Sequence, residues 1–127
     1  MLGHNDVIAT IPVSDLGRSR KFYEDKLGLV ALGMIGDECV TYGAGDTRIF
    51  MYQTIAPITA HTIVATWAVD DILETLVEEL SEKGITFEHF EKEGFKPQGN
   101  VYHTDSFKVA LLRDPDGNML SLFQPHG

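Results

Sequence analysis

Ala9-Thr10-Ile11-Pro12-Val13-Ser14-Asp15-Leu16 recurs further along the chain as Ala65-Thr66-Trp67-Ala68-Val69-Asp70-Asp71-Ile72. The same shift carries Gly28 onto Gly84, and each glycine closes a stretch with helical apolar spacing. Each copy also contains a strand-like run ending in glutamine, Ile49-Phe50-Met51-Tyr52-Gln53 and Leu120-Ser121-Leu122-Phe123-Gln124. These two runs stand further apart than the two opening stretches do, so the second copy carries an insertion, placed at 91–105. A repeat of about half a small domain signals two copies of one supersecondary unit packed on a pseudo-twofold axis. Such an axis predicts a cavity between the copies, lined by the matched positions.

Working outward, Val7 to Pro12 is an apolar, β-prone run bounded by polar residues, and reads as a strand. Ser14 is the expected N-cap of a helix whose stripe is Leu16, Tyr23 and Leu27, with Phe22 beside it. Gly28 suits the left-handed residue that stops such a helix. Strands over 30–35, 38–43 and 47–53 follow, separated by the turn clusters Gly36-Asp37 and Ala44-Gly45-Asp46. Residues 54–61 connect the halves, with Pro57 interrupting any ladder. The second half repeats the order: a strand over 62–69, then a helix over 71–83 with Ile72, Leu73, Leu76, Val77 and Leu80 on one face. A strand over 85–90 is expected next. The inserted stretch, with Gly94, Pro97 and Gly99, reads as a long loop with a short strand. Strands over 106–113 and 119–124 close the unit across Asp114-Pro115-Asp116-Gly117-Asn118. Each half therefore reads β-α-β-β-β, with module one at about 5–53, a linker at 54–61 and module two at about 62–124, in a single domain spanning 1–127.

A chain of 127 residues that is 43% hydrophobic and 23% charged fits one soluble globular domain. No apolar run approaches the roughly 18 residues that span a bilayer, so no membrane partner is expected. Met1 to Asp6 lacks the basic and apolar regions of a secretory signal. Cys39 is the single cysteine and cannot form an internal disulfide, which favours a reducing, cytoplasmic location. Its place in a strand pattern predicts a buried, inert thiol. The net charge of −9 argues against nucleic acid, whose phosphates need a basic stripe. Asp70, Asp71, Glu74, Glu78, Glu79 and Glu82 gather on the second helix, where they read as a solvated face.

Tandem βαβββ modules carrying Asp15-Leu16, Arg18-Ser19, Phe22-Tyr23 and Leu27-Gly28-Leu29, then Val69-Asp70-Asp71-Ile72, Gly84 with Phe87, and Arg113-Asp114-Pro115-Asp116-Gly117-Asn118, resemble one superfamily. It is the vicinal oxygen chelate group, which includes glyoxalase I, extradiol dioxygenases, fosfomycin-resistance enzymes and bleomycin-resistance proteins. The resemblance implies an α+β fold in which the two modules form a cupped, partly closed mixed sheet with the helices outside. It also implies a homodimer. In the metal-using members, inward-facing His or Glu ligands stand on the first and last strands of each module. Carried onto this chain, those positions fall on Ile8, Phe50, Val64 and Ser121, and a slip of one position reaches no His or Glu. Divalent metals need imidazole or carboxylate donors, so no metal ligands and no cofactor are expected. His4 and His61 precede the expected ligand positions Ile8 and Val64 by four residues and three, too far along an extended strand to replace them, and read as flank residues.

Strand alternation sorts the faces independently of any resemblance. Ala9, Ile11, Ile49, Met51, Ile63, Ala65, Trp67, Leu120 and Leu122 form one apolar set, suited to packing under helices. Ile8, Thr10, Arg48, Phe50, Tyr52, Val64, Thr66, Met119, Ser121 and Phe123 form the other. Apolar walls with a few polar groups suit a small-molecule pocket, whereas a filled core or an oligomer contact is the plainer alternative. Ile8, Thr10, Arg48, Phe50, Tyr52, Val64, Thr66, Ser121 and Phe123 are the expected ligand contacts. Arg48 could hold a ligand carboxylate or close a strand-end salt bridge. His103, in the insertion, is the candidate general base. Three functions follow: a metal-independent small-molecule binder like the bleomycin-resistance branch, a lyase, isomerase or dioxygenase with atypical ligands such as His103 with Glu38 or Glu88, and a dimeric interaction module without catalysis.

Overall fold

In the computed structural model, which describes residues 2–4, 8–56, 58, 62–69 and 72–126, the chain divides into two compact units, 1–58 and 59–127. The first contains β1 (Ala9–Val13), α1 (Leu16–Arg20), β2 (Val30–Ile35), β3 (Cys39–Ala44) and β4 (Thr47–Gln53). The sheet order is β1-β4-β3-β2, with β1 and β4 parallel and the other pairs antiparallel. Alternation decides which side is covered. Ile11, Val13, Val40, Tyr42, Ile49 and Met51 are all buried, and the Tyr23 ring from the helix lies 6.4 Å from that of Tyr42. The opposite face of this sheet carries Thr10, Thr41, Arg48, Phe50 and Tyr52, all at least partly exposed.

The helix begins one position later than expected. Asp15, extended at φ −139°, is the N-cap and accepts the Arg18 amide at 3.1 Å. Ser14 instead accepts from the Arg18 guanidinium at 2.9 Å. After Arg20 the helix widens into a π-helical turn over Lys21–Lys26, and Gly28 at φ +74° ends it. Glu24 on that turn accepts the buried Tyr42 hydroxyl at 2.8 Å and Arg20 Nε at 2.6 Å. The Arg20 hydrogen bond holds Glu24 below the usual carboxylate range, while burial foremost pushes the Tyr42 phenol well above its own.

The second unit contains β5 (Ile63–Ala68), α2 (Leu73–Glu82), β6 (Lys96–Gln98), β7 (Val101–His103), β8 (Phe107–Arg113) and β9 (Met119–Pro125), in the order β5-β9-β8-β7-β6. Leu73, Val77 and Leu80 of α2 are buried, as are Ala110, Leu112, Leu120 and Leu122 of the sheet. Gly84 at φ +90° closes α2 with two reverse bonds, Gly84 N to Ser81 O at 3.0 Å and Ile85 N to Leu80 O at 3.1 Å. The fold is thus α+β with two open mixed sheets of four and five strands, neither closed into a barrel. Among the described residues no helix is long and apolar enough to cross a membrane.

Two features depart from a simple repeat. The strand expected over 85–90 is reduced to a bridge between Phe87 and Leu112, with Glu88 N on Leu111 O at 2.7 Å. The same line along β8 resumes at β7, where Tyr102 opposes Val109 and His103 opposes Lys108. The insertion therefore enters in mid-strand and returns as the β6–β7 hairpin, turning at Gly99 with φ +66°. A β-bulge also shifts β5 against β9 between Ile63 and Ala65. Ile63, not Val64, consequently stands opposite Met119, which corrects the alternation expected for these two residues.

The glutamines that mark the repeat have the same job in both units. Gln53 Oε1 accepts the Leu16 amide and Gln124 Oε1 accepts the Leu73 amide, both at 2.8 Å. At α2 the N-cap is Ile72, which has no side-chain acceptor, so Gln124 stands in for a capping residue. Gln124→Met should lower unfolding stability by about 1 kcal/mol, the typical worth of a cap. Gln124→Glu, which keeps an acceptor and adds favourable charge at a helix N-terminus, should retain it near neutral pH. Denaturant midpoints at unchanged slope check both, and equal midpoints for Met and Gln would remove the capping role.

Candidate functional site

On the open face of the first sheet, Thr10 opposes Phe50, and Phe50 opposes Thr41. Tyr52 stands between Pro12 and Cys39, and the Phe50 and Tyr52 rings stack with centroids 6.4 Å apart at 26°. Arg48 opposes Gly43 near the strand start, and Ile8 precedes β1 with 45% exposure. Thr10 Oγ1 donates to Ile8 O at 3.4 Å. Cys39 is half-buried on this same face, where a fully buried thiol was expected.

On the open face of the second sheet, Thr66 opposes Ser121, and Ser121 opposes Leu111. Phe123 stands between Ala68 and Val109. Val64 occupies the bulge in β5 and leaves the simple alternation of this face. Ser121 is only 4% exposed. The expected contacts are therefore gathered as two groups, one on each sheet.

Sequence reasoning missed the largest feature of the second face. Phe123 lies 5.1 Å from Phe107, Phe107 5.9 Å from Phe95, Phe95 5.5 Å from Phe90, and Phe90 stacks on Tyr102 at 4.0 Å. These rings form a continuous row, with Lys92 Nζ 5.4 Å from the Phe95 centroid. Phe95 comes from the inserted stretch, which has no counterpart in the first module, and Phe90 leads into it. The available signal was the aromatic enrichment of 87–107 against its polar surroundings. The segment is tied down at its start, because Tyr102 Oη accepts the Phe90 amide at 2.9 Å.

His103 stands on the other side. It pairs with Lys108, whose Nζ reaches Glu74 of α2 at 3.0 Å, so its imidazole belongs to the helix-covered face rather than to the face of Ser121. The Lys108 hydrogen bond, acting against burial, holds the Glu74 carboxyl low. His103 Nε2 is buried without a hydrogen-bond partner among the described residues. Glu88, one of the two carboxylates offered with His103 as atypical ligands, is paired with Arg113 at 2.6 Å. His4 lies in the short turn Leu2–His4, and His61 lies outside the described residues.

Could these faces hold the metal their resemblance implies? The four carried-over positions present two aliphatic side chains, an aromatic ring and one hydroxyl, a donor set that does not fit a divalent ion. Among the described residues no three His, Cys, Asp or Glu side chains gather in a way that could hold one.

The Asp114-Pro115-Asp116-Gly117-Asn118 signature is turn chemistry. The buried Asp114 carboxylate accepts the Asp116 amide at 2.9 Å, the Asn118 amide at 2.8 Å and Asn118 Nδ2 at 2.8 Å, which sets the start of β9. Arg113 adds a bond to Gly117 O at 2.8 Å. A groove of about 410 Å³ also flanks α2, lined by Val69, Ile72, Thr75, Leu76 and Glu79, none of which was an expected contact.

With this geometry in hand, comparison with known proteins decides the family. The sequence model of the Glyoxalase/Bleomycin resistance protein/Dioxygenase superfamily matches residues 6–122. The chain belongs to that superfamily. No curated protein matches the sequence. Among solved structures, the superfamily fold is shared with TnmS3, an antibiotic binding protein from Streptomyces sp. CB03234, at 21% identity and a TM-score of 0.73, covering 97% of this chain and 98% of that one. A lactoylglutathione lyase from Agrobacterium tumefaciens is similar at 16% identity and a TM-score of 0.68, covering 95% and 93%. An integron cassette protein from the mobile metagenome of V. cholerae gives 17% identity and a TM-score of 0.64, covering 94% and 95%.

Removing the Tyr102 hydroxyl tests whether it anchors the inserted aromatic segment. In Tyr102→Phe the Phe90 amide should exchange with solvent about fivefold faster, the equivalent of one net hydrogen bond. Unchanged exchange would show that ring packing alone holds the segment.

Proposed function

We propose that this protein is a metal-independent binder of small, flat aromatic compounds, acting as a cytoplasmic homodimer, with the open sheet faces as its ligand surfaces. The observation that carries this reading is the row of rings from Phe123 to Phe90 beside the hydroxyls of Thr66 and Ser121. Aromatic rings supply large area and favourable offset or edge contacts to planar groups, and the hydroxyls orient what they hold. TnmS3, an antibiotic binding protein of this fold, supports the small-molecule part of the reading. The carried-over ligand positions, filled by Ile8, Phe50, Val64 and Ser121, support independence from metal, and His103 beneath α2 is poorly placed to act as a base on a ligand at Ser121.

Calorimetry against planar polycyclic aromatics and cationic glycopeptides tests the reading. Binding of at least one aromatic class is expected, and Phe123→Ala should weaken it by about tenfold, since a buried aromatic contact contributes about 1.4 kcal/mol. No binding across the aromatic panel would count against it. Elemental analysis should find no stoichiometric zinc, nickel, manganese or iron, and a full equivalent of any would overturn the metal-independent reading.

Support for the homodimer comes from β2, an edge strand with Val30 68%, Leu32 51%, Met34 44% and Ile35 58% exposed. It carries no charged residue, although edges left in solvent are usually guarded by charge or proline. Light scattering should give twice the chain mass for the native protein and the monomer mass for Leu32→Glu. A native monomer would remove this part of the proposal.

A further inference from the structure

The chain has four arginines. Three are engaged: Arg18 with Ser14, Arg20 with Glu24, and Arg113 with Glu88 and Gly117 O. Arg48 makes no hydrogen bond, ion pair or ring contact with any described residue, in a protein where 19 acids face 10 basic side chains. Asp46 lies close by in the β3–β4 turn, yet no carboxylate of the described residues stands within 4.0 Å. Nor does the guanidinium rest on the ring of Phe50, its neighbour on the same face. The single cation–ring contact among the described residues is that of Lys92 with Phe95.

The surroundings make this isolation informative. Arg48 is the sole charged side chain among the strand residues on the open face of the first sheet, whose other members include Thr10, Thr41, Phe50, Tyr52 and Ile35. A guanidinium offers a fixed fork of donors that matches a carboxylate in two parallel bonds. Next to it, the Phe50 and Tyr52 rings, with centroids 6.4 Å apart, offer aromatic surface, and Thr10 and Thr41 flank Phe50 on the neighbouring strands. The net charge of −9 disfavours anions over the surface as a whole. Screening over about 8 Å at physiological salt confines that penalty, so the local pair decides.

We infer that the ligand is an aromatic anion, its ring system laid on Phe50 and Tyr52 and its carboxylate or similar oxyanion gripped by Arg48. This rests on the reading of the open faces as ligand surfaces and narrows the ligand class, setting aromatic acids above the cationic aromatics that the acidic balance alone would favour.

A matched trio of probes tests it: anthracene-9-carboxylate, its carboxamide and 9-(aminomethyl)anthracene, each titrated by fluorescence against the native protein, Arg48→Gln and Arg48→Lys. The carboxylate should bind native protein about tenfold tighter than the amide, and the ammonium most weakly. Arg48→Gln should bring the carboxylate-to-amide ratio to about one, and Arg48→Lys should restore part of it, since lysine keeps the charge but loses the fork. A carboxylate that binds no tighter than the amide, or a preference that survives Arg48→Gln, overturns the inference while leaving aromatic binding standing. If none of the three binds, the ligand-surface reading falls and the inference falls with it.

Discussion

Two glutamine side chains fix where each helix starts, and the rest of each unit is arranged around that bond. Gln53 ends β4 and Gln124 lies near the end of β9, and each holds the first amide of its unit's helix at 2.8 Å. A helix N-terminus exposes amides with no partner in the helix, so this bond satisfies a group that burial would otherwise penalise. It also ties the helix to a central strand of its sheet. Once the helix lies on one side, strand alternation assigns every other side chain: Ile49 and Met51, or Leu120 and Leu122, go under the helix. Arg48, Phe50 and Tyr52, or Ser121 and Phe123, are left on the opposite face. The open faces are thus a consequence of where the helix is anchored.

The parts of this plan that were legible in the sequence are those with a short-range physical code. The glycine stops at Gly28 and Gly84, the strand parity of β1, β4 and β9, and the Asp114 turn all depend on residues close in the chain. The glutamines were visible as a repeat, but their purpose was not, because each bond joins residues far apart in the chain. Two errors came from the same limit. A bulge adds one residue to a strand without changing its composition, so Ile63 and Val64 exchanged places against Met119. The insertion could be located from the unequal offsets of the repeat, yet its entry in mid-strand depends on the pairing of Phe87 and Tyr102 with β8, which no local pattern announces. His103 followed from that: as a loop residue of the insertion it could be offered as a general base, but as a β7 residue its side is set by Lys108.

The insertion also shows how the two copies have diverged. The first module keeps an open face with one stacked pair of rings and a lone guanidinium. In the second module, Phe90 and Phe95 extend a row that reaches Phe123, and Ser121 is buried at the position matching Phe50. The repeat-related places that metal-using relatives fill with His or Glu hold no such donors here. The two copies thus differ chiefly in aromatic area, which the insertion adds to the second alone.

The most direct measurement is an amide chemical-shift map of the protein titrated with an aromatic compound that binds it. The account predicts that the largest shifts fall on an open sheet face, on Thr10, Phe50 and Tyr52 of the first unit or on Ser121 and Phe123 of the second. Shifts confined to Val69, Ile72, Thr75, Leu76 and Glu79 beside α2, with both faces unmoved, would contradict it.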